Sequence, residues 1–135
     1  MPTNPAYLLD SSACIPILRR EAGLGGLPAP AKTGLPIIVA AELWTGVMKN
    51  ASSHPQQAAK LQAFLYLFAI PEFDMKAALH YAEIRADLEA AGQTIGPLDL
   101  LIAAQVRSLG ATLVTGNAAE FRRVKGLKVQ EWHPG

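Results

Sequence analysis

The chain has 135 residues, of which 50% are hydrophobic and 17% are charged. This length fits a single domain, residues 1–135, with a buried core, and the composition excludes an intrinsically disordered chain. A net charge of +1 gives little long-range attraction for nucleic acid, so a nucleic-acid-binding protein of this composition depends on local basic patches. No apolar run is long enough to span a membrane and the N-terminus lacks a signal peptide, so we expect no membrane partner and a cytoplasmic location.

The first predicted element is a short buried strand at residues 6–9. It is followed at once by Asp10, a residue type that caps helices, and we expect a helix from about Ser12 to Arg20. Cys14 is the only cysteine, which is typical of a small core residue in a reducing compartment. Residues 23–34 are rich in glycine and proline and predict a loop.

Residues 35–39 are apolar and rich in β-branched side chains, which predicts a second buried parallel strand. The strand leads directly into Glu42, which we expect in the first turn of the next helix. After a loop at residues 50–55, two helices are predicted from apolar residues at helical spacing: Ala58, Leu61, Leu65 and Phe68 in the first, and Ala77, Tyr81, Ile84, Leu88 and Ala91 in the second. Asp74 begins the second of these helices and Gly92 ends it, and residues 70–73 are an edge strand or a plain connection.

The central helix begins at Gly96 and Pro97, because proline suits the first helical position. The predicted inner face carries Leu98, Leu101, Ile102, Gln105 and Leu109. Asp99 lies in the first turn and points off that face, yet its own helical neighbours Ala103 and Val106 are apolar. A carboxylate in such surroundings is costly to desolvate unless a cation or a hydrogen-bond donor compensates it.

Residues 111–115 predict a strand, Asn117 begins a turn or short helix that reaches Phe121, and residues 127–129 predict a last strand. Strands that alternate with helices imply parallel pairing through right-handed crossovers. The predicted fold is therefore a three-layer α/β/α sandwich with a central, mostly parallel sheet.

Several acidic side chains are predicted near the carboxyl edge of this sheet, where ligands of open parallel sheets bind. Asp10 and Glu42 each follow a predicted strand, Asn117 and Glu120 follow another, and Asp99 begins the central helix. If these carboxylates meet, their repulsion raises their pKa values unless a divalent cation is bound, and oxygen ligands suit Mg²⁺ or Mn²⁺. The alternative is that each acid merely stabilises a helix N-terminus, and the pattern alone leaves both explanations open.

Other chemistries are poorly supported. The three histidines fall in separate segments without a second metal ligand nearby, Ser11 and Ser12 lack the glycine turn of a nucleophilic serine, and no phosphate-binding glycine loop occurs. The basic segment 122–128 is typical of a solvated turn, with contact to a phosphate backbone as the alternative.

Four stretches resemble the ordered motifs of PIN domains, and above all those of the VapC-type toxins of toxin–antitoxin pairs. They are Leu8-Leu9-Asp10-Ser11-Ser12, Val39-Ala40-Ala41-Glu42-Leu43-Trp44-Thr45-Gly46, Ile95-Gly96-Pro97-Leu98-Asp99-Leu100-Leu101-Ile102-Ala103-Ala104 and Leu113-Val114-Thr115-Gly116-Asn117-Ala118-Ala119-Glu120-Phe121. The resemblance spans nearly the whole chain. Four motifs in the family's order are specific evidence, whereas a single motif would be weak evidence.

The resemblance implies a metal-dependent endoribonuclease. By matched position, Asp10, Glu42 and Asp99 hold Mg²⁺ or Mn²⁺ and, with Asn117, form the catalytic set. Asn117 departs from the Asp that many relatives have there, which removes a negative charge and puts a second metal ion in doubt. The resemblance further implies contacts with the substrate or with the metal ligands for Ser12, Thr115 and Glu120, and it leaves open whether Asn117 or the carboxylate of Glu120 completes the site.

The resemblance also implies partners: an RNA substrate, a cognate antitoxin that inhibits the enzyme, DNA only through that antitoxin, and a second copy of the chain packed through residues 58–68 and 77–91. The alternative function is a catalytically weak PIN-like module that acts with its antitoxin as a DNA-bound regulator. A hydrolase of small phosphate esters is a third possibility.

Overall fold

The computed structural model describes residues 4–19 and 26–133, and within them four strands form one sheet. The strands run in the order β2-β1-β3-β4, and every neighbouring pair is parallel. Their bounds are β1 Tyr7–Leu9, β2 Thr33–Gly34, β3 Thr112–Thr115 and β4 Lys128–Glu131.

Helices connect and flank these strands, which confirms the predicted α/β sandwich. Their bounds are α1 Ser11–Leu18, α2 Ile37–Lys49, α3 Gln57–Leu65, α4 Met75–Ala91, α5 Pro97–Ser108 and α6 Ala118–Phe121. The core lies around the two central strands, where Leu8 and Leu9 of β1 and Leu113 and Val114 of β3 are completely buried. Cys14 is buried in the same core, as predicted.

The predicted strand at residues 35–39 is wrong. The strand in this region is the two-residue β2, and α2 already begins at Ile37. The chain passes close to another segment at Gly34, because a Cβ at this position would lie 2.7 Å from the carbonyl oxygen of Ala69. Pro36 then precedes the helix, whose Val39, Ala40 and Leu43 are buried, and this packing overrides the β propensity of the run.

This correction moves Glu42, which lies in the second turn of α2 and not in its first turn after a strand. The described part of the predicted loop 23–34 contains a 3₁₀ turn at Pro30–Lys32 and strand β2, while residues 23–25 lie outside the described residues. Helix α1 ends at Leu18, and Arg20, the predicted end, is also outside them.

The two middle helices agree with the prediction except at their ends. Helix α3 stops at Leu65, so Phe68 packs into the core from the turn that follows it. Asp74 caps α4 through a 3.0 Å hydrogen bond that it accepts from Ala77 N, and Gly92 ends it with a positive φ of 66°. Ala91 is exposed and not on the inner face, and residues 70–73 are a connection.

Helix α5 begins at Gly96 and Pro97 as predicted, but its buried face is wider than predicted and turned toward Asp99. Leu98, predicted to point inward, is 47% exposed, whereas Ala103 and Val106 are completely buried. The buried face of the helix thus includes the side that carries Asp99. No helix in residues 4–19 and 26–133 is long and apolar enough to cross a membrane.

Candidate metal centre

The site lies at the carboxyl ends of the two central strands. Strand β1 pairs with β3 in a register that places Leu9 opposite Val114, so Asp10 and Thr115 come directly after this pair on neighbouring strands. Asp10 is also the N-cap of α1, with its carboxylate accepting a 3.2 Å hydrogen bond from Ala13 N. The sheet register and the helix cap together fix where the Asp10 carboxylate lies.

Two hydroxyl groups complete the hydrogen bonding of Asp10. Ser12 Oγ donates to Oδ1 at 2.6 Å, and Thr115 Oγ1 donates to Oδ2 at 2.5 Å. Each hydroxyl is itself held by a backbone N–H, because Ser12 accepts from Gly116 at 2.8 Å and Thr115 accepts from Asn117 at 2.9 Å. Burial raises the pKa of Asp10, and these hydrogen bonds partly offset that rise by stabilising the charged form.

Asp99 and Glu120 form the second part of the site. The Glu120 carboxylate accepts a 3.0 Å hydrogen bond from Gly96 N at the start of α5, and this bond is the main reason why its pKa is lowered. Partial burial and the adjacent Glu120 charge raise the pKa of Asp99 to about 6, with smaller contributions from Glu42 and Asp10. Asp99 is therefore close enough to the other three acids for their charges to raise its pKa.

Asn117 belongs to this second part. Its side-chain nitrogen Nδ2 donates to Glu120 Oε2 at 2.6 Å, and its backbone N–H donates to Thr115. Asn117 thus connects the Glu120 carboxylate to the hydroxyl that holds Asp10. An aspartate here would place a second negative charge against Glu120, so the amide is the residue that fits this contact.

Glu42 approaches from α2, and one of its oxygen atoms has no partner. Oε1 of Glu42 is buried without a hydrogen-bond donor among the described residues. Burial and the nearby Asp10 charge raise the pKa of Glu42. Buried carboxylate oxygens are normally paired, so this atom is suited to a ligand that supplies positive charge.

Gln105 is a residue whose structural role the sequence analysis missed. Its completely buried side chain accepts a 3.2 Å hydrogen bond from Ile37 N at the start of α2 and donates a 2.7 Å bond to the Pro71 carbonyl. It thereby ties the helix that carries Glu42 to the helix that carries Asp99. A polar residue in a predicted apolar stripe was the available signal, since a buried amide needs partners.

The side chains fit Mg²⁺ or Mn²⁺ in chemistry but do not already form a ligand cluster. Across residues 4–19 and 26–133, no three acidic, histidine or cysteine side chains come close enough together to hold a metal ion as they stand. The donors are nevertheless all oxygen atoms, Glu42 Oε1 lacks a partner, and Asp99 faces another carboxylate. These are the features that a hard divalent cation stabilises.

The other groups considered from the sequence are engaged elsewhere. His80 Nδ1 accepts a hydrogen bond from Arg107 at 2.8 Å, His54 contacts Ser53, and His133 lies 3.6 Å from Glu131. In the basic segment 122–128, Arg123 donates to the Thr94 carbonyl and Lys128 to the Gly110 carbonyl. Arg123 and Lys128 therefore make contacts within the protein.

Comparison with known proteins gives a consistent result. The family model described as PIN domain matches residues 7–127. The chain is 36% identical to Ribonuclease VapC2 of Rickettsia felis, over 93% of this chain and 97% of that protein. It is 31% identical to the tRNA(fMet)-specific endonuclease VapC of Shigella flexneri, again over 93% and 97%. Among solved structures, VapBC2 from Rickettsia felis bound to a promoter DNA fragment superposes with a TM-score of 0.83 and 32% identity, over 94% of this chain and 98% of that one.

Proposed function

The chain belongs to the PIN domain family, and on that premise we propose that it is a metal-dependent endoribonuclease, the toxin of a toxin–antitoxin pair. Two relatives that match it over nearly their whole length are named as a ribonuclease and a tRNA endonuclease. The observation that carries the proposal is the unpartnered Glu42 Oε1, buried beside the Asp10 charge, because such an atom suits a cation and not a purely structural role.

In this proposal Asp10, Glu42 and Asp99 would hold Mg²⁺ or Mn²⁺, which would supply Lewis-acid chemistry by polarising the scissile phosphate and making a water molecule more acidic. Asp10 is the fixed member, since Ser12 and Thr115 hold both of its oxygen atoms. Either Glu42 or Asp99 would orient the attacking water or accept its proton, since both carboxylates approach the same site as Asp10. Asn117 and Glu120 orient the Asp99 side of the site through their mutual hydrogen bond.

The test is incubation of the purified chain, free of antitoxin, with total RNA and added Mg²⁺, Mn²⁺ or a chelator. We expect discrete cuts with either metal and none with the chelator. Cleavage that continues in the chelator would contradict metal dependence, and a folded protein that never cleaves RNA would contradict the nuclease.

One observation favours a second candidate function. The described acids do not form a ready-made ligand cluster, which is the arrangement expected of a catalytically weak module that acts with its antitoxin as a DNA-bound regulator. The two functions differ in one result: the regulator binds promoter DNA together with its antitoxin but leaves RNA intact whichever metal is added.

We also propose a cognate antitoxin as partner, with DNA bound only through it, and the cytoplasm as the location. The support is the solved complex of a similar protein with its antitoxin and a promoter fragment, together with a net charge of only +1 on this chain. An antitoxin that abolishes RNA cleavage and is required for DNA binding is the expected result. DNA binding by the chain alone would contradict it.

A homodimer is proposed from the surface of α3 and α4. Large apolar side chains are exposed at the end of α3 and on the first turns of α4: Tyr66 at 82%, Leu67 at 51%, Met75 at 76% and Leu79 at 60%. A second copy that covers them removes this apolar surface from water. We expect Leu79→Lys to yield monomers in light scattering, while Ala51→Lys, in the exposed loop after α2, remains dimeric. A monomeric parent chain would contradict the dimer.

A further inference from the structure

A groove of about 410 Å³ runs between helices α1, α2 and α3, and Glu42 is part of its wall. Glu42, Gly46 and Asn50 follow one another in steps of four residues, so the groove extends along α2 for about 12 Å from the acidic site. Anything bound in the groove therefore ends beside the carboxylates described above.

The charge of the groove is opposite to that of the site. Among the residues that the structure describes, the wall carries two cations, Arg19 directly after α1 and Lys60 on α3, and one acid, Glu42. Both cations are exposed, and neither makes an ion pair or a side-chain hydrogen bond with a residue that the structure describes. They differ in this from Arg107 and Arg123, whose guanidinium groups are bound to neighbouring protein groups.

The floor of the groove is apolar and its middle is open. Leu18, Leu43, Val47 and Leu61 line it, and Ile15 is 36% exposed at its side. Gly46 stands in the interior of α2, where glycine disfavours the helix, yet a Cβ there would meet nothing within 4 Å. No internal contact requires the glycine, so its absent side chain leaves room for something outside the chain to approach the helix backbone.

We propose that this groove binds the single-stranded RNA next to the cleaved phosphate. Arg19 and Lys60 contact its phosphate groups, the open stretch at Gly46 admits the strand, and the apolar floor takes the faces of its bases. This inference rests on the proposed function and adds the path by which the substrate reaches the acids. A protein segment would use the same apolar floor, but the two unpaired cations are complementary to phosphates.

The test measures binding of a short, labelled single-stranded RNA of mixed sequence to the Asp99→Asn protein by fluorescence anisotropy over a range of salt concentrations. Arg19→Gln and Lys60→Gln each remove one cation, and we expect the slope of log affinity against log salt to fall by about 0.7 for each. Lys76→Gln, an equal charge change at an exposed position on α4, should leave the slope unchanged.

Gly46→Leu tests the open space without changing any charge. We expect RNA affinity to fall at every salt concentration with an unchanged slope, and melting curves to show a fold at least as stable as the parent, since leucine favours a helix. Unchanged RNA affinity in all three groove variants would overturn the proposal. So would variants that lose affinity only for the antitoxin, since the groove would then be a protein-docking surface.

Failure of the groove proposal can be distinguished from failure of the proposed function. A chain that cleaves RNA while its groove variants bind RNA normally would overturn only the groove. A chain that binds RNA through the groove but cleaves none would contradict the nuclease and leave the groove standing.

Discussion

The two halves of the acidic site are held by different forces. Asp10 is fixed by neutral donors, since two hydroxyls and a backbone N–H hold both of its carboxylate oxygens. Asp99 instead faces the carboxylate of Glu120, and its raised pKa records that repulsion together with its partial burial. Both oxygen atoms of Asp10 have hydrogen-bond donors within the protein, whereas Asp99 has a second carboxylate as its neighbour.

This difference gives the halves different tasks. The Asp10 half holds its carboxylate in one place through hydrogen bonds, which offset part of the cost of burying its charge. In the Asp99 half the neighbouring carboxylates repel each other, and the proposed cation would relieve that repulsion. Variants on the two sides should therefore behave in opposite ways in the absence of metal.

The largest effect is expected from Asp99→Asn. The substitution removes a proposed metal-binding oxygen with its charge, and we expect RNA cleavage to fall by about a hundredfold or more. The measurement is the rate of RNA cleavage in Mn²⁺, with Asp87→Asn on the exposed side of α4 as the matched control. Equal rates for Asp99→Asn and the parent would remove Asp99 from the catalytic set.

An intermediate effect is expected from Thr115→Val, which deletes one hydroxyl at nearly constant volume. Asp10 loses a hydrogen-bond donor and the Asn117 N–H loses its acceptor. We therefore expect the free energy of unfolding to fall by about 1 to 3 kcal/mol. RNA cleavage should fall by about tenfold to a hundredfold, the usual cost of removing a residue that orients a metal ligand. Thr112→Val on the same strand, whose hydroxyl makes no hydrogen bond with the described residues, is the control. Equal stability and equal cleavage rates in the two variants would show that the Thr115 hydroxyl does not hold Asp10 in place.

The smallest expected effect is on the pH dependence of folding stability in the absence of metal. The pKa of Asp99 is raised from 3.8 to about 6 in the folded chain, so its protonated form is the one that folding favours. Its contribution to stability is complete below about pH 4 and is lost as the pH rises through 6. With a chelator at pH 7 we therefore expect Asp99→Asn to melt a few degrees higher than the parent, and the difference to vanish near pH 4. A lower melting temperature for the variant at pH 7 would show that Asp99 is not repelled.

The sequence predicted most of the fold because most of its signals were local. Asp10, Asp74 and Gly96-Pro97 begin their helices, and the strands next to Asp10 and Asn117 lie where expected, since capping chemistry and apolar runs act over a few residues. Residues 35–39 were misassigned because packing against the core, and not the β propensity of their side chains, decides their conformation. The outward orientation of Leu98 and the amide bridge of Gln105 likewise depend on neighbours distant in sequence.

The identity of the candidate site residues could be predicted from the sequence, but their contacts could not. The motifs identify the acids, and Ser12, Thr115 and Asn117 do join them. The direction of the Asn117 hydrogen bond toward Glu120, and the unpartnered oxygen of Glu42, follow only from how α2, α5 and α6 pack together.

The most direct test of the central claim is a calorimetric titration of Mn²⁺ into the metal-free chain near neutral pH, in parallel with Asp99→Asn and Asp87→Asn. We expect saturable binding by the parent and by Asp87→Asn, with a rise in melting temperature, and a large loss of affinity in Asp99→Asn. Saturable binding that is the same in all three proteins would place the metal elsewhere. No binding by the folded parent would contradict the metal centre itself.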